Sequence, residues 1–276
     1  MGVDERPGDV GRADTIIVAT INPDSNDVKL LSIPRDTLIE LPKTGKQDKV
    51  NATYAYGGIS YVIETVEEYL SVPINYYAKI NFQGMVDLVD AVGGIEIDSP
   101  LDFTVQDSDE KSNAIVIRKG LQHLQGEKAL GYARMRKQDP RGDWGRQERQ
   151  RQVIEAIVDE AMSISSLTNF KSIFDAISPN LETNLSGREI WIVGTNYASA
   201  AKSITGLVLE GEEDRLYFPS YGQEVYVWKP YENKRVEASM ELRKHLEIDS
   251  AGNENDDYSS DSNSIDSNNL NNVRLK

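Results

Sequence analysis

The stretch Thr15 to Ile21, TIIVATI, is apolar on both faces of an extended chain and rich in β-branched residues. A strand of that kind is satisfied only inside a sheet that is covered on both sides. The turn-forming run Asn22 to Asp27 leads into a second strand, Val28 to Ile33, so the pair reads as a hairpin. Helical periodicity predicts helices over 59–70, 82–92, 126–133, 167–177, 186–201 and 236–246. Further strands are expected at 74–80, 95–97 and 114–117, with 207–209 and 225–228 near the sheet edge. The expected fold is therefore α/β, with a mixed central sheet sandwiched between helices. It occupies residues 1–247 as one domain. From Asp249 to Val273 the chain has six acidic residues, thirteen Ser or Asn and no Lys or Arg. Such a segment buries too little to offset its ordering entropy, so 248–276 is expected to be a disordered tail.

The chain carries a net charge of −15, yet Gly131 to Arg151 sets seven basic residues against three acidic ones. Just downstream, Val153, Ile154, Ile157, Val158 and Ala161 recur at helical spacing, which predicts a helix starting near Trp144. Followed back toward its N-terminus, the buried stripe reaches Gln150 and Arg146. The inward face thus turns cationic where the helix dipole already favours an anion. Arg134 and Arg136, two apart, would point to one side of an extended chain and form a second wall. Arg35 and Asp36 follow Pro34 at the end of the second strand, a place where α/β sheets commonly carry ligand groups.

Other features narrow the function. Duplex nucleic acid is disfavoured as a partner, because its binding rests on neutralising many phosphates over a broad basic surface. Cysteine is absent, so there is neither a disulfide framework nor a thiolate site. The two histidines, His123 and His245, have no ligand-spaced neighbours and read as structural or surface groups. Gly57-Gly58 permits a tight turn but lacks phosphate-loop spacing. In the helix from Phe82, the residues Phe82, Met85, Val86, Leu88, Val89 and Val92 run most of the way round. That surface is covered either by protein or by a greasy ligand. No apolar run reaches membrane-spanning length.

The segments GVDERPGDVGRADT, SIPRDT, DKVNATYAYGG, VDLVDAVGGIEID, GEKALGYARMR and DPRGDWGRQERQRQV, in this order, closely resemble the LytR-CpsA-Psr family of Gram-positive cell-wall enzymes. The resemblance covers about residues 2 to 153. It implies a phosphotransferase that moves an anionic glycopolymer, such as wall teichoic acid, from a polyprenyl-pyrophosphate carrier to a muramic-acid hydroxyl of peptidoglycan. It also implies a place on the extracellular face of the cytoplasmic membrane. An N-terminal anchor and the apolar strand that family members carry before the GVDER-like segment are expected to precede this sequence. By the same match, Arg12, Arg35, Lys49, Arg134, Arg136, Arg146 and Gln150 would clamp the pyrophosphate. Asp4 and Asp14 would bear on Mg2+. If a greasy ligand, and not protein, covers the 82–92 helix, Phe82, Met85, Val86 and Val89 would line a lipid tunnel.

These residue types suit phosphoryl transfer, which asks a protein chiefly to position groups and stabilise charge. Arginine binds phosphate through forked donors and keeps its charge. Magnesium takes one or two carboxylates together with phosphate oxygens. The acceptor hydroxyl needs a base, for which Asp36 and Asp143 are candidates and a metal carboxylate a third. Two other classes would use the same clamp: a lipid-pyrophosphate hydrolase, with water as acceptor, and a polyprenyl-phosphate binding module that does not turn over.

Overall fold

The computed structural model describes residues 1–3, 11–107, 111–163, 167–196, 200 and 203–248. Asp4 and the tail from Asp249 lie outside the described residues, as does the end of the helix expected to reach residue 201. A six-stranded mixed sheet forms the centre, in the order Leu181–Thr183, Ala78–Ile80, Gly2–Val3 (β1), Ala13–Asn22 (β2), Asp27–Ile33 (β3) and Ile204–Val208. β2 and β3 are the expected antiparallel hairpin, with Ile16 opposite Ile33 and Val18 opposite Leu31. The edge strand Ile204–Val208 runs parallel to β3, and β1 is parallel to Ala78–Ile80, which makes the sheet mixed.

Both faces of the hairpin are covered, as its composition requires. On one face Ile16, Val18, Leu31 and Ile33 pack with Val62, Val66 and Leu70 of α1 (Ala52–Leu70) and with Ala238 and Leu242 of α7 (Glu232–His245). On the other, Val28 and Leu30 pack with Ala200, and Ile17, Ile21 and Ile204 join them together with Ile154 of α4 (Asp143–Ser163). A second core lies beside the sheet. It gathers α2 (Phe82–Ala91), α3 (Gly126–Arg134), the paired strands Ile95–Ser99 and Gly120–Leu124, and Ile173 of α5 (Leu167–Ile177). Val153 and Ile157 of α4 belong to that core, so one helix serves both. α6 (Gly187–Asn196) completes the described helices. None of the described helices is long and apolar enough to cross a membrane.

Three sequence expectations change. The helix expected from residue 59 begins at Ala52 and absorbs Gly57-Gly58 as a kink, where Gly58 has φ 64° and ψ −159°. Side chains avoid that conformation, so glycine is required there. The strand expected over 74–80 is confined to Ala78–Ile80. The strand at 225–228 is not at the sheet edge: Gln223–Pro230 pairs with Gly211–Phe218 in a separate antiparallel hairpin. That hairpin is docked by the Trp228 amide, which donates to the Asp36 carbonyl at 2.8 Å.

His245 is structural, as expected. Buried at the end of α7, it joins Thr20 Oγ1 (2.7 Å) through Nδ1 and Asp27 Oδ1 (2.9 Å) through Nε2. The Ser25 hydroxyl first, and His245 second, hold the Asp27 carboxyl below its usual range. A carboxylate depressed in this way contributes stability above the unfolded pKa of about 3.9 and loses it as pH falls through the folded value. Asp27→Ala leaves a buried imidazole nitrogen unpaired, so Tm at pH 7 should fall by roughly 2–6 °C. Thermal scans should show the gap from wild type closing as pH falls below the unfolded value of about 3.9 and through the lower folded one. A gap that persists in acid would refute the linkage.

Candidate active site

Antiparallel pairing of β2 with β3 brings the start of one strand beside the end of the other. Asp14, at the start of β2, therefore meets the Pro34–Thr37 turn, closed by a Thr37 amide bond to the Pro34 carbonyl at 2.9 Å. Arg35 Nη1 lies 2.7 Å from Asp14 Oδ1, and its Nε lies 3.4 Å from Asp36 Oδ2. Lys49 Nζ reaches the other Asp36 oxygen at 3.0 Å. Burial works against the Arg35 charge, but Asp14, Asp36 and Asp143 outweigh it and hold the guanidinium above its ordinary value.

The opposite wall is built by the end of α3 and the start of α4. Arg149 is 1% exposed and spans the two: Nε donates to the Tyr132 carbonyl (3.1 Å), Nη2 to the Met135 carbonyl and Nη1 to Asp139 Oδ2 (2.5 Å). Arg141 holds the same carboxylate from outside. Burial would raise the Asp139 pKa, yet hydrogen bonds from the Arg141 amide and from both guanidinium groups hold it below its usual range. Gly145 makes the seat possible, because a Cβ there would fall 1.8 Å from Asp139 Oδ2. α4 therefore begins against a fixed loop, its Arg146 amide bonded back to the Gly142 carbonyl at 3.3 Å.

In its first turn, Arg146 is only 8% exposed. Its Nη2 lies 2.7 Å from Asp143 Oδ1, off the hydrogen-bonding direction. Arg146 Nε and Asp143 Oδ1 are thus both buried without a hydrogen-bond partner among the described residues. Burial lowers the Arg146 pKa; Asp143 and Asp14 oppose the shift, while the cations Arg35 and Arg136 add to it. Arg136 Nε is 3.8 Å from Asp143 Oδ1. Gln150, one turn further along, donates to Thr15 Oγ1 at 2.9 Å and so ties α4 to β2 next to Asp14.

The structure thus gathers Asp14, Arg35, Asp36, Lys49, Arg136, Asp143 and Arg146, with Gln150 at the margin. Arg12 is exposed and acts electrostatically on Tyr221. Arg134 and Arg136 do not share an extended strand. Arg134 is the last residue of α3, and the break comes at Met135 (φ −59°, ψ 134°). Arg134 accordingly lies over the Phe82 ring of α2, 4.1 Å from its centroid. Along α2, Phe82 and Met85 are half-buried, whereas Val86 and Val89 are buried, Val89 within the second core.

Sequence reasoning missed Arg149, whose alignment with the buried stripe at Val153 was the available signal. It also missed the aromatic neighbours Trp144, Tyr226 and Trp228, two of which come from a hairpin with no local motif. Among the described residues no group of three or more acidic or histidine side chains could hold a metal. Asp14, bound on one oxygen by Arg35, fits a magnesium ion held mainly by phosphate oxygens and water, and not a fully protein-built metal site.

The brace has a measurable cost if cut. Arg149→Met removes the buried partner of Asp139, whose side chain is 0% exposed, and leaves the Tyr132 and Met135 carbonyls without their donor, so it should lose about 3–5 kcal/mol, or roughly 10 °C in Tm. Arg141→Ala removes an outer partner that is 47% exposed and should cost under about 1 kcal/mol. Equal losses in denaturant titrations would show that the buried pair is no brace.

Comparison with known proteins places this geometry. The chain is 39% identical over 248 residues to the polyisoprenyl-teichoic acid–peptidoglycan teichoic acid transferase TagU of Bacillus mycoides, covering 90% of this chain and 78% of that protein. Among solved structures, TagV of B. subtilis superposes with a TM-score of 0.78 at 36% identity, covering 90% of this chain and 95% of the other. TagT bound to LIIa-WTA gives 0.76 at 32% identity, with 89% and 88% covered. The sequence model of the LytR_cpsA_psr family matches residues 1–244, and the chain belongs to that family.

Proposed function

We propose that this protein transfers a teichoic-acid-type glycopolymer from a polyprenyl-pyrophosphate carrier to peptidoglycan, forming a phosphodiester link. The relatives' names point to that reaction, and the observation that carries it here is the orphaned Arg146 Nε, a buried cationic donor beside Arg35 and Arg136. Four cations, Arg35, Lys49, Arg136 and Arg146, interleave with three carboxylates, Asp14, Asp36 and Asp143. The excess favours a multiply charged anion over a neutral ligand. As the phosphoryl group transfers, charge builds on its oxygens, and guanidinium donors already fixed in place stabilise it without reorganising.

Several finer points belong to the same proposal. Arg35, Arg136 and Arg146 hold the pyrophosphate, with Arg12, Lys49, Arg134 and Gln150 around it. Magnesium, carried by the phosphates, would meet Asp14 and Asp4 and offset further charge. The lipid runs from Arg134 over Phe82 and along the half-buried Met85, while Val86 and Val89, buried in the packing of α2, lie behind that surface. The protein works at the outer face of the cytoplasmic membrane of a Gram-positive envelope, held by an N-terminal anchor.

A labelled lipid-linked glycan, with and without peptidoglycan oligomers, tests the reading. Arg146→Ala should weaken carrier binding and lower kcat/KM by about 10²–10³. Asp14→Ala should retain most carrier binding while losing the magnesium-dependent release of polyprenyl phosphate. Label appearing in peptidoglycan supports the transferase. Carrier cleavage that ignores the acceptor identifies a hydrolase instead, and wild type without turnover leaves only a binding protein. For the lipid, Met85→Trp should block long-chain polyprenyl phosphate and spare short soluble analogues. Equal loss of both in calorimetry would remove α2 from the lipid path.

A further inference from the structure

A cavity of about 180 Å³ opens beside the arginine cluster, lined in part by Asp36, Arg136, Asp143, Trp144, Glu213 and Tyr226. Complete small-molecule pockets run to about 300–1,000 Å³, so this one suits a single ring of a larger substrate. Its aromatic side is fixed. Trp228 donates through Nε1 to the Leu209 carbonyl at 3.1 Å, and its ring meets Trp144 edge-on, 5.1 Å between centroids at 82°. Trp144 and Tyr226 both stay half-buried. Burial, then Glu213, Asp143 and Asp36, push the Tyr226 phenol up to about 12, which keeps it a neutral hydrogen-bond donor.

The charges of the lining select the occupant. Asp36, Asp143 and Glu213 stand against Arg136 and Arg141, a balance that disfavours a phosphate-bearing polymer. Asp143 lines the cleft with its Oδ1 turned inward, 2.7 Å from Arg146 Nη2, and the rest of its carboxylate, on a side chain 21% exposed, can accept from a neutral donor such as a hydroxyl. Flat aromatic faces with polar groups at their rims fit a pyranose, which is apolar on its faces and hydroxylated at its edge.

We propose that this cleft is the subsite for a phosphate-free sugar ring of the acceptor glycan, with Trp144 and Tyr226 against the ring and the Asp143 carboxylate receiving the proton of its attacking hydroxyl. The proposal rests on the transferase reading. In the step it implies, the hydroxyl oxygen bonds to the phosphorus bearing the polymer. The bond from that phosphorus to the bridging oxygen of the carrier breaks with its electron pair. Polyprenyl phosphate leaves, and the hydroxyl proton passes to the Asp143 carboxylate.

Calorimetry of the full chain with uncrosslinked, phosphate-free peptidoglycan strands tests the subsite without any turnover. Tyr226→Ala should weaken glycan binding by about tenfold, while Tyr226→Phe, which keeps the ring, stays within about twofold of wild type. Both should bind a short soluble prenyl pyrophosphate as wild type does. Asp143→Asn should retain glycan binding and lose transfer by about 10² or more. Free poly(glycerol phosphate) should not displace the glycan. Displacement by that polymer, loss of the pyrophosphate ligand in place of the glycan in Tyr226→Ala, or no glycan binding by wild type would each overturn the proposal. Wild type that binds glycan with this dependence yet transfers no label would support the subsite and count against the transferase reading alone, so the two failures are separable.

Discussion

The guanidinium of Arg149 sets the geometry on which the site depends. A buried arginine is costly to desolvate unless nearly every donor finds an acceptor, and here two carbonyls and the Asp139 carboxylate supply them. Those acceptors are not neighbours in sequence. Tyr132 lies in α3, Met135 in the break that follows it and Asp139 in the next turn, so satisfying one side chain fixes three points of the loop. The loop so fixed carries Arg136 to the site, and Asp143 and Arg146 follow it on α4. Gly145 shows how close the fit is, since any side chain there would displace Asp139.

Packing several cations around one point raises the problem of their mutual repulsion. The fold answers by interleaving acids: Asp14 and Asp36 against Arg35, Asp36 against Lys49, and Asp143 between Arg136 and Arg146. Arg146 is the least compensated member, buried, crowded by Arg35 and Arg136, and lowered in pKa as a result. An anion binding there relieves an unfavourable interaction already present in the folded protein. The same acids would repel a phosphate wherever they outnumber the arginines. A gradient of charge across a short distance can therefore sort an anionic donor from a neutral acceptor.

The parts of this arrangement legible in the sequence are those written by local periodicity. The two-sided strand at Thr15–Ile21, the hairpin to Val28 and the stripe on α4 each follow from the order of apolar residues, and α4 starts within one residue of its expected position. The cationic continuation of that stripe runs through Arg146 and Gln150, which the structure sets beside Asp143 and Thr15. What failed was information carried by distant contacts. Arg134 was placed in extended chain because two-residue spacing suggests it, but helix α3 runs through that position and delivers the side chain to Phe82. The hairpin of Tyr226 and Trp228 has ordinary strand composition. Its hydrogen bond to the Asp36 carbonyl, across some two hundred residues, and the contact of Trp228 with Trp144 make it part of the site.

α4 explains why such a site can be both charged and rigid. Its Ile154 packs beneath the central sheet while Val153 and Ile157 enter the second core, so the helix is clamped on two sides within a single turn. Groups one and two turns earlier on the same rod, Gln150 and Arg146, inherit that fixity, and Arg149 locks the rod to the loop beside it. A site placed on a clamped helix holds its donors more firmly than one built from loops alone. The helix also joins the central sheet to the second core, alongside α2, which follows the strand Ala78–Ile80 directly. A substitution loosening Val153 should therefore disturb the relative placement of the two walls before it unfolds either core, because each core retains its own remaining contacts.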